Sequence, residues 1–153
     1  MQKAIFFAGY GTAYKTVEAE QKLLEVYPET IPALRFLSRR NFAPVLVTPE
    51  YQEYRKLIAS LEDKVLSVYH WDIGREELTT FVDANDMNLE ESYFITDGQY
   101  LKKMQNTGCK IILVLSGMGC CLLDKLAVEE VTGISDVCKD IYAAAFSVAH
   151  KLL

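Results

Sequence analysis

The stretch KAIFFAGYGT, residues Lys3–Thr12, decides the reading of the fold: an apolar run of strand length, Lys3–Ala8, passes directly into a Gly-Tyr-Gly turn. A run without polar alternation suits a strand covered on both faces, which is the mark of a parallel sheet. Further runs of this kind stand at Ala43–Val47 (APVLV), Val65–Tyr69 (VLSVY), Tyr93–Thr96 (YFIT) and Ile111–Leu115 (IILVL). Between them apolar residues recur at helical spacing: Ile31, Leu34 and Leu37; Leu57, Ile58 and Leu61; Leu78, Phe81 and Val82. The tail from Asp136 places Val137, Ile141, Ala144, Ala145 and Val148 on one face and reads as a closing helix. Strand and helix alternate, so the expected fold is α/β: a doubly wound, Rossmann-like, mostly parallel sheet of five to six strands.

Composition agrees. The chain has 153 residues, 50% hydrophobic and 24% charged, with neither repeat nor linker, and is expected to form a single domain over residues 1–153. A net charge of -5 argues against a nucleic-acid partner. No apolar run approaches the roughly 20 residues of a membrane span, and the N-terminus lacks a signal-peptide core, so no membrane partner and a cytoplasmic location are expected. Cys109, Cys120, Cys121 and Cys138 are not at metal-ligand spacing and read as thiols of a reducing compartment, with only His70 and His150 available to complete a zinc site.

Open α/β sheets hold their ligands beyond the carboxyl ends of the strands. The residues at those ends are Ala8-Gly9-Tyr10-Gly11-Thr12, Thr48-Pro49-Glu50, His70-Trp71-Asp72, Asp97-Gly98-Gln99 and Ser116-Gly117-Met118-Gly119. The glycines around Met118 lack the spacing and lysine of a P-loop and read as a turn. Tyr10, Tyr14, Tyr51 and Tyr54 fall near the same crevice, as lining of an altered pocket or an apolar patch for self-association into a homodimer.

At these positions the chain resembles the haloacid-dehalogenase-like (HAD) superfamily, and within it the small capless histidinol-phosphate and heptose-bisphosphate phosphatases. KAIFFAGYGT is similar to K-A-I-F-L-D-R-D-G-T, and NLEESYFITDG to L-S-x-S-Y-x-V-G-D-S. GCKIILVLSGMG resembles A-G-x-x-x-I-L-V-x-T-G-x-G. PETIPALRFLSRRNFAPVLVT and the closing VCKDIYAAAFSVAHKLL resemble the helix before the second strand and the final helix. The resemblance implies a HAD-like domain without a cap, and a chemistry of phosphoryl transfer through an aspartyl-phosphate. That chemistry needs a carboxylate nucleophile, a second carboxylate as acid/base, a hydroxyl and a lysine on the phosphoryl oxygens, and acidic ligands for Mg²⁺.

Carried over position by position, the nucleophile falls on Ala8 and the acid/base on Tyr10. The phosphate-binding hydroxyl falls on Thr48, and the metal carboxylate on Asp97. A second aspartate is replaced by Leu101, and no lysine stands near Asp72, where Arg75 is the nearest cation. The expectation is therefore a catalytically inactive phosphatase homologue with a binding, regulatory or assembly role, taking a protein or a small anionic ligand. No catalytic residue is assigned: Ala8 and Tyr10 are degenerate positions. Gly11, Thr12 and Thr48 are the candidate phosphate or ligand cradle, Asp97 is the candidate metal ligand, and no cofactor is expected. The alternative is a phosphatase or phosphotransferase acting on a small phosphorylated metabolite, with Mg²⁺ and relocated groups such as Asp97 and Tyr10. Structural roles compete at each position: Asp97 suits a turn or the cap of a helix over Gln99–Gln105, Thr48 a turn, and His70 a plain strand end.

Overall fold

The computed structural model describes residues 1–17, 23–61 and 66–150. In chain order the elements are β1 (Lys3–Ala8), β2 (Tyr14–Val17), β3 (Leu23–Val26), α1 (Thr30–Ser38), β4 (Phe42–Val47), α2 (Tyr51–Ser60) and β5 (Tyr69–Trp71). There follow α3 (Leu78–Ala84), β6 (Tyr93–Thr96), α4 (Leu101–Met104), β7 (Lys110–Val114), α5 (Gly119–Leu123), α6 (Val128–Thr132), β8 (Asp136–Cys138) and α7 (Ile141–His150). Six strands form one sheet in the order β5-β4-β1-β6-β7-β8, every pairing parallel, while β2 and β3 form a separate antiparallel hairpin. The expected doubly wound α/β architecture is the one observed. No described helix is long and apolar enough to cross a membrane.

The unalternating runs are explained by burial on both faces. Along β1, Ile5 and Phe7 enter one core with Leu46, Ile95, Ala33, Leu34, Leu37, Ala144 and Val148. Ala4, Phe6 and Ala8 enter the other with Val45, Val47, Phe94, Trp71, Phe81 and Met104. Successive strand side chains point to opposite faces, so a strand between two helix layers needs apolar residues at every position. The helical stripes of α1, α3 and α7 supply those layers. In α2 Leu57 is buried, while Ile58 faces outward.

Several expectations are corrected. The third strand is Tyr69–Trp71, displaced from Val65–Tyr69; Leu66 and Val68 are buried without joining a ladder, and Val65 lies outside the described residues. The reason is register: β5 reaches β4 only where Val45, Leu46 and Val47 face Tyr69, His70 and Trp71. Val137 belongs to a sixth strand, β8, paired with Leu113; the closing helix starts at Ile141, where Asp140 accepts the Ala143 N–H at 2.9 Å. The helix expected over Gln99–Gln105 is reduced to α4, because Tyr100 takes a left-handed φ of 61° at its start. The hairpin β2–β3, α5 and α6 have no counterpart in the sequence reading.

At the amino end of the sheet the β1–β6 register starts at Ile5 and Tyr93. One residue earlier, the buried hydroxyl of Ser92 accepts the Ala4 N–H at 2.9 Å and donates to the Asn88 carbonyl at 2.5 Å. It supplies the rung that the ladder lacks there. Ser92→Ala leaves the Ala4 N–H buried without an acceptor, which costs about 1–3 kcal/mol. A urea unfolding midpoint lowered at unchanged slope is the expected result.

Candidate functional site

The chain leaves β1 towards β4 and β5, returns to β6, and continues to β7 and β8, so the strand order reverses beside β1. A crevice for ligands is expected at the carboxyl ends there. The β1 end is wound tightly on itself. The N–H groups of Thr12, Ala13 and Tyr14 all donate to the Gly9 carbonyl, at 3.1, 2.8 and 3.3 Å, and Gly11 N–H donates to the Tyr14 carbonyl at 2.9 Å. Gly11 holds a φ of +81°, which an L side chain adopts only with strain.

Ala8 is fully buried, and its methyl belongs to the core shared with Val47 and Trp71. The next space along the crevice is taken by Tyr14. A methyl placed on Gly9 would collide with the Tyr14 hydroxyl, which donates to Glu53 Oε1 of α2 at 2.7 Å. Tyr10 packs edge-on against Tyr14, ring centroids 4.9 Å apart. Burial drives the Tyr14 phenol far above its ordinary range, and the Glu53 carboxylate adds to the effect. Glu53 is itself raised, first by burial and then by Glu50, against the lowering effect of hydrogen bonds from Tyr14 and Thr48. Tyr100 is raised by burial and by these same two carboxylates.

Both proposed cradle hydroxyls accept main-chain hydrogen bonds within the molecule. Thr12 Oγ1 accepts the Asp97 N–H at 2.9 Å. Thr48 Oγ1 accepts the Glu50 N–H at 3.1 Å, so Thr48 rather than the Glu50 side chain serves the start of α2. The Thr48 carbonyl takes a hydrogen bond of 2.8 Å from His70 Nε2, whose ring stacks on Tyr54 at 5.0 Å. His70 is thereby a fastening between β5, β4 and α2.

Asp97 is 3% exposed and sits between two loops. Oδ2 accepts the Met118 N–H at 3.1 Å and Oδ1 the Gln99 N–H at 3.4 Å. Gly11 and Gly117, both at positive φ, close on the carboxylate so tightly that a methyl on either would strike it. Ser116 Oγ ties the loops together by donating to the Gly11 carbonyl at 2.7 Å. Burial raises the Asp97 pKa, opposed by its backbone N–H partners. Leu101 is buried in the core, and Arg75 lies 4.0 Å from Asp72 on the surface. Among the described residues, no group of three or more His, Cys, Asp or Glu is placed to hold a metal ion.

The structure thus brings Gly11, Thr12 and Asp97 together, with Ala8 in the core at the end of β1, Tyr10 against Tyr14, and Thr48 at the end of β4. Tyr14 and Glu53 were missed in their main role. Their pairing across 39 residues has no local signal, although an acidic residue in the first turn of α2 facing the crevice was a partial one.

No family model matches the sequence, and no curated protein is similar to it. Solved structures are. The D,D-heptose 1,7-bisphosphate phosphatase from Burkholderia thailandensis superposes with a TM-score of 0.77 at 14% identity, over 97% of this chain and 99% of that one. The fold is HAD-like. The B. bronchiseptica D,D-heptose 1,7-bisphosphate phosphatase, complexed with magnesium and phosphate, gives 0.66 at 16% identity, with the same coverage of 97% and 99%. A protein described as a HAD-like phosphatase from Mesorhizobium loti gives 0.62 at 14% identity, over 99% of this chain and 87% of that one.

Glu53 and Asp97 both have folded pKa values raised above their ordinary 4.5 and 3.8. The folded state holds these protons more tightly, so the stability they contribute is fully present below those ordinary values and is lost as pH rises through the raised ones. Thermal melts from pH 4 to 7 are expected to show that decline, and Glu53→Gln to flatten part of it. Tyr14→Phe removes a donor that favours the Glu53 carboxylate. It is expected to cost roughly 1.5 kcal/mol at neutral pH and less as Glu53 protonates.

Proposed function

We propose that this chain is a HAD-like phosphatase homologue that has lost phosphoryl-transfer chemistry and acts in binding, regulation or assembly. The observation that carries the reading is the β1 end, where the resemblance puts a nucleophilic aspartate. Ala8 stands there with its methyl in the core, and the Tyr14–Glu53 pair fills the space beyond it. Removing a nucleophile costs roughly 10⁴–10⁶ in rate in hydrolase precedents. A buried phenol held well above its ordinary pKa is a poor replacement acid or base at neutral pH.

The residues present do not fit Mg²⁺. Ala8 and Leu101 offer no side-chain ligand, and Asp97 spends its carboxylate on the N–H groups of Met118 and Gln99 beneath two glycines. A hard cation with octahedral demands needs more oxygen ligands than that. The Gly11 N–H is spent on the Tyr14 carbonyl and the Thr48 hydroxyl on Glu53, so the crevice offers a small anion fewer donors, which favours a protein partner.

Purified protein with Mg²⁺ is expected to leave p-nitrophenyl phosphate, histidinol phosphate and heptose bisphosphate unhydrolysed above background. Turnover that survives repurification and disappears in Asp97→Asn would overturn the reading and establish the relocated phosphatase. Ala8→Asp with Tyr10→Asp places carboxylates where the resemblance puts them. Calorimetry is expected to show tighter Mg²⁺ binding than in the parent, with lower stability when the ion is absent and only feeble activity. Equal, negligible binding by both proteins would mean that Ala8, Tyr10 and Asp97 do not converge on a metal position.

A further inference from the structure

On the sheet face opposite α1 and α7, the loop after β5 and the end of α4 enclose a cleft of about 510 Å³ that none of Ala8, Tyr10, Gly11, Thr12, Thr48 or Asp97 lines. That volume lies within the range of small-molecule sites. Its floor is apolar: Trp71 and Ile73 are buried, and Leu78 and Leu89 are partly buried beside them. Lys103 Nζ crosses from α4 to donate to the Ile73 carbonyl at 2.8 Å, which braces the loop and leaves that ammonium with donors to spare. Arg75, 90% exposed, reaches Asp72 only at 4.0 Å. Glu76 and Glu77 line the same cleft.

The lining therefore carries both signs of charge over an apolar floor. A ligand that is only an anion meets Glu76 and Glu77, and one that is only a cation meets Arg75 and Lys103. We propose that this cleft binds a small zwitterion with an apolar body, of the free amino-acid class, with its carboxylate towards Arg75 and Lys103 and its ammonium towards Glu76 and Glu77. The candidate catalytic, cradle and metal positions lie outside this lining, so the proposal does not depend on the loss of phosphatase chemistry.

Trp71 is the single tryptophan of the chain and forms part of the cleft wall, so its fluorescence reports occupancy directly. L-Leucine, which does not absorb at tryptophan wavelengths, is the probe. N-acetyl-L-leucine keeps only the negative charge and L-leucinamide only the positive one. Saturable quenching or shift is expected with leucine, confirmed by calorimetry, and each single-charge analogue should bind about tenfold more weakly, as for loss of one charge-assisted contact. Arg75→Ala and Glu77→Gln, at surface positions that leave the fold intact by circular dichroism, should each weaken leucine binding by a similar factor. Thr79→Phe, which fills the cleft from its rim, should abolish it. The proposal is overturned by absence of saturable binding in both methods, by an analogue binding as tightly as leucine, or by variants that bind leucine as the parent does.

Discussion

The structure depends on the complete burial of β1 at the centre of a parallel sheet. Hydrogen-bonded on both edges and covered on both faces, this strand fixes which of its residues can do anything but pack. Ile5 and Phe7 are committed to one core, and Ala4, Phe6 and Ala8 to the other. Only the turn that follows is free to meet a ligand, and its geometry is set by what β6 and β7 present to it. Those strands deliver Asp97 and Ser116, which clamp the turn through Thr12 and the Gly11 carbonyl. The buried carboxylate that the resemblance assigns to a metal here accepts from the loop after β7 and from its own loop, while the Asp97 main-chain N–H ties β6 to the β1 end.

Much of the fold was legible because the signals are local. β1, β4, β6 and β7 are apolar runs bounded by turn residues, and burial on two faces leaves no polar position to blur them. Misreadings occur where tertiary pairing decides. VLSVY has the composition of a strand, but β4 has facing rungs only for Tyr69, His70 and Trp71. Val137 fits the helical stripe of α7 by spacing, yet the free edge of β7 recruits it into a strand. Tyr100 cuts α4 short by adopting a left-handed backbone that nothing in its neighbours announces.

The candidate site was legible as a set of positions and not as a state. Sequence order alone identified Ala8, Tyr10, Gly11, Thr12, Thr48 and Asp97 as crevice residues, since strand ends converge in such sheets. Whether their donors and acceptors are free is a question of partners far along the chain. Tyr14 finds Glu53, Asp97 finds Met118 and Thr12, and Thr48 finds His70. The Tyr14 hydroxyl and the Asp97 carboxylate are spent in these pairings, while the Thr48 bond to His70 runs through the main-chain carbonyl. Burial then shifts the titration of Tyr14, Glu53 and Asp97 upward, which no reading of residue types could anticipate.

The outer strands of the sheet, β5 and β8, are each three residues long. A sheet margin exposes unpaired N–H and C=O groups that invite another chain to add itself as a further strand, and short margins blunt that tendency. Here the inner strands are nearly all apolar, so a long open margin would have made a strong template for aggregation. Truncation at both sides protects against it. The same truncation leaves a partner little main-chain ladder to extend at either margin of the six-stranded sheet.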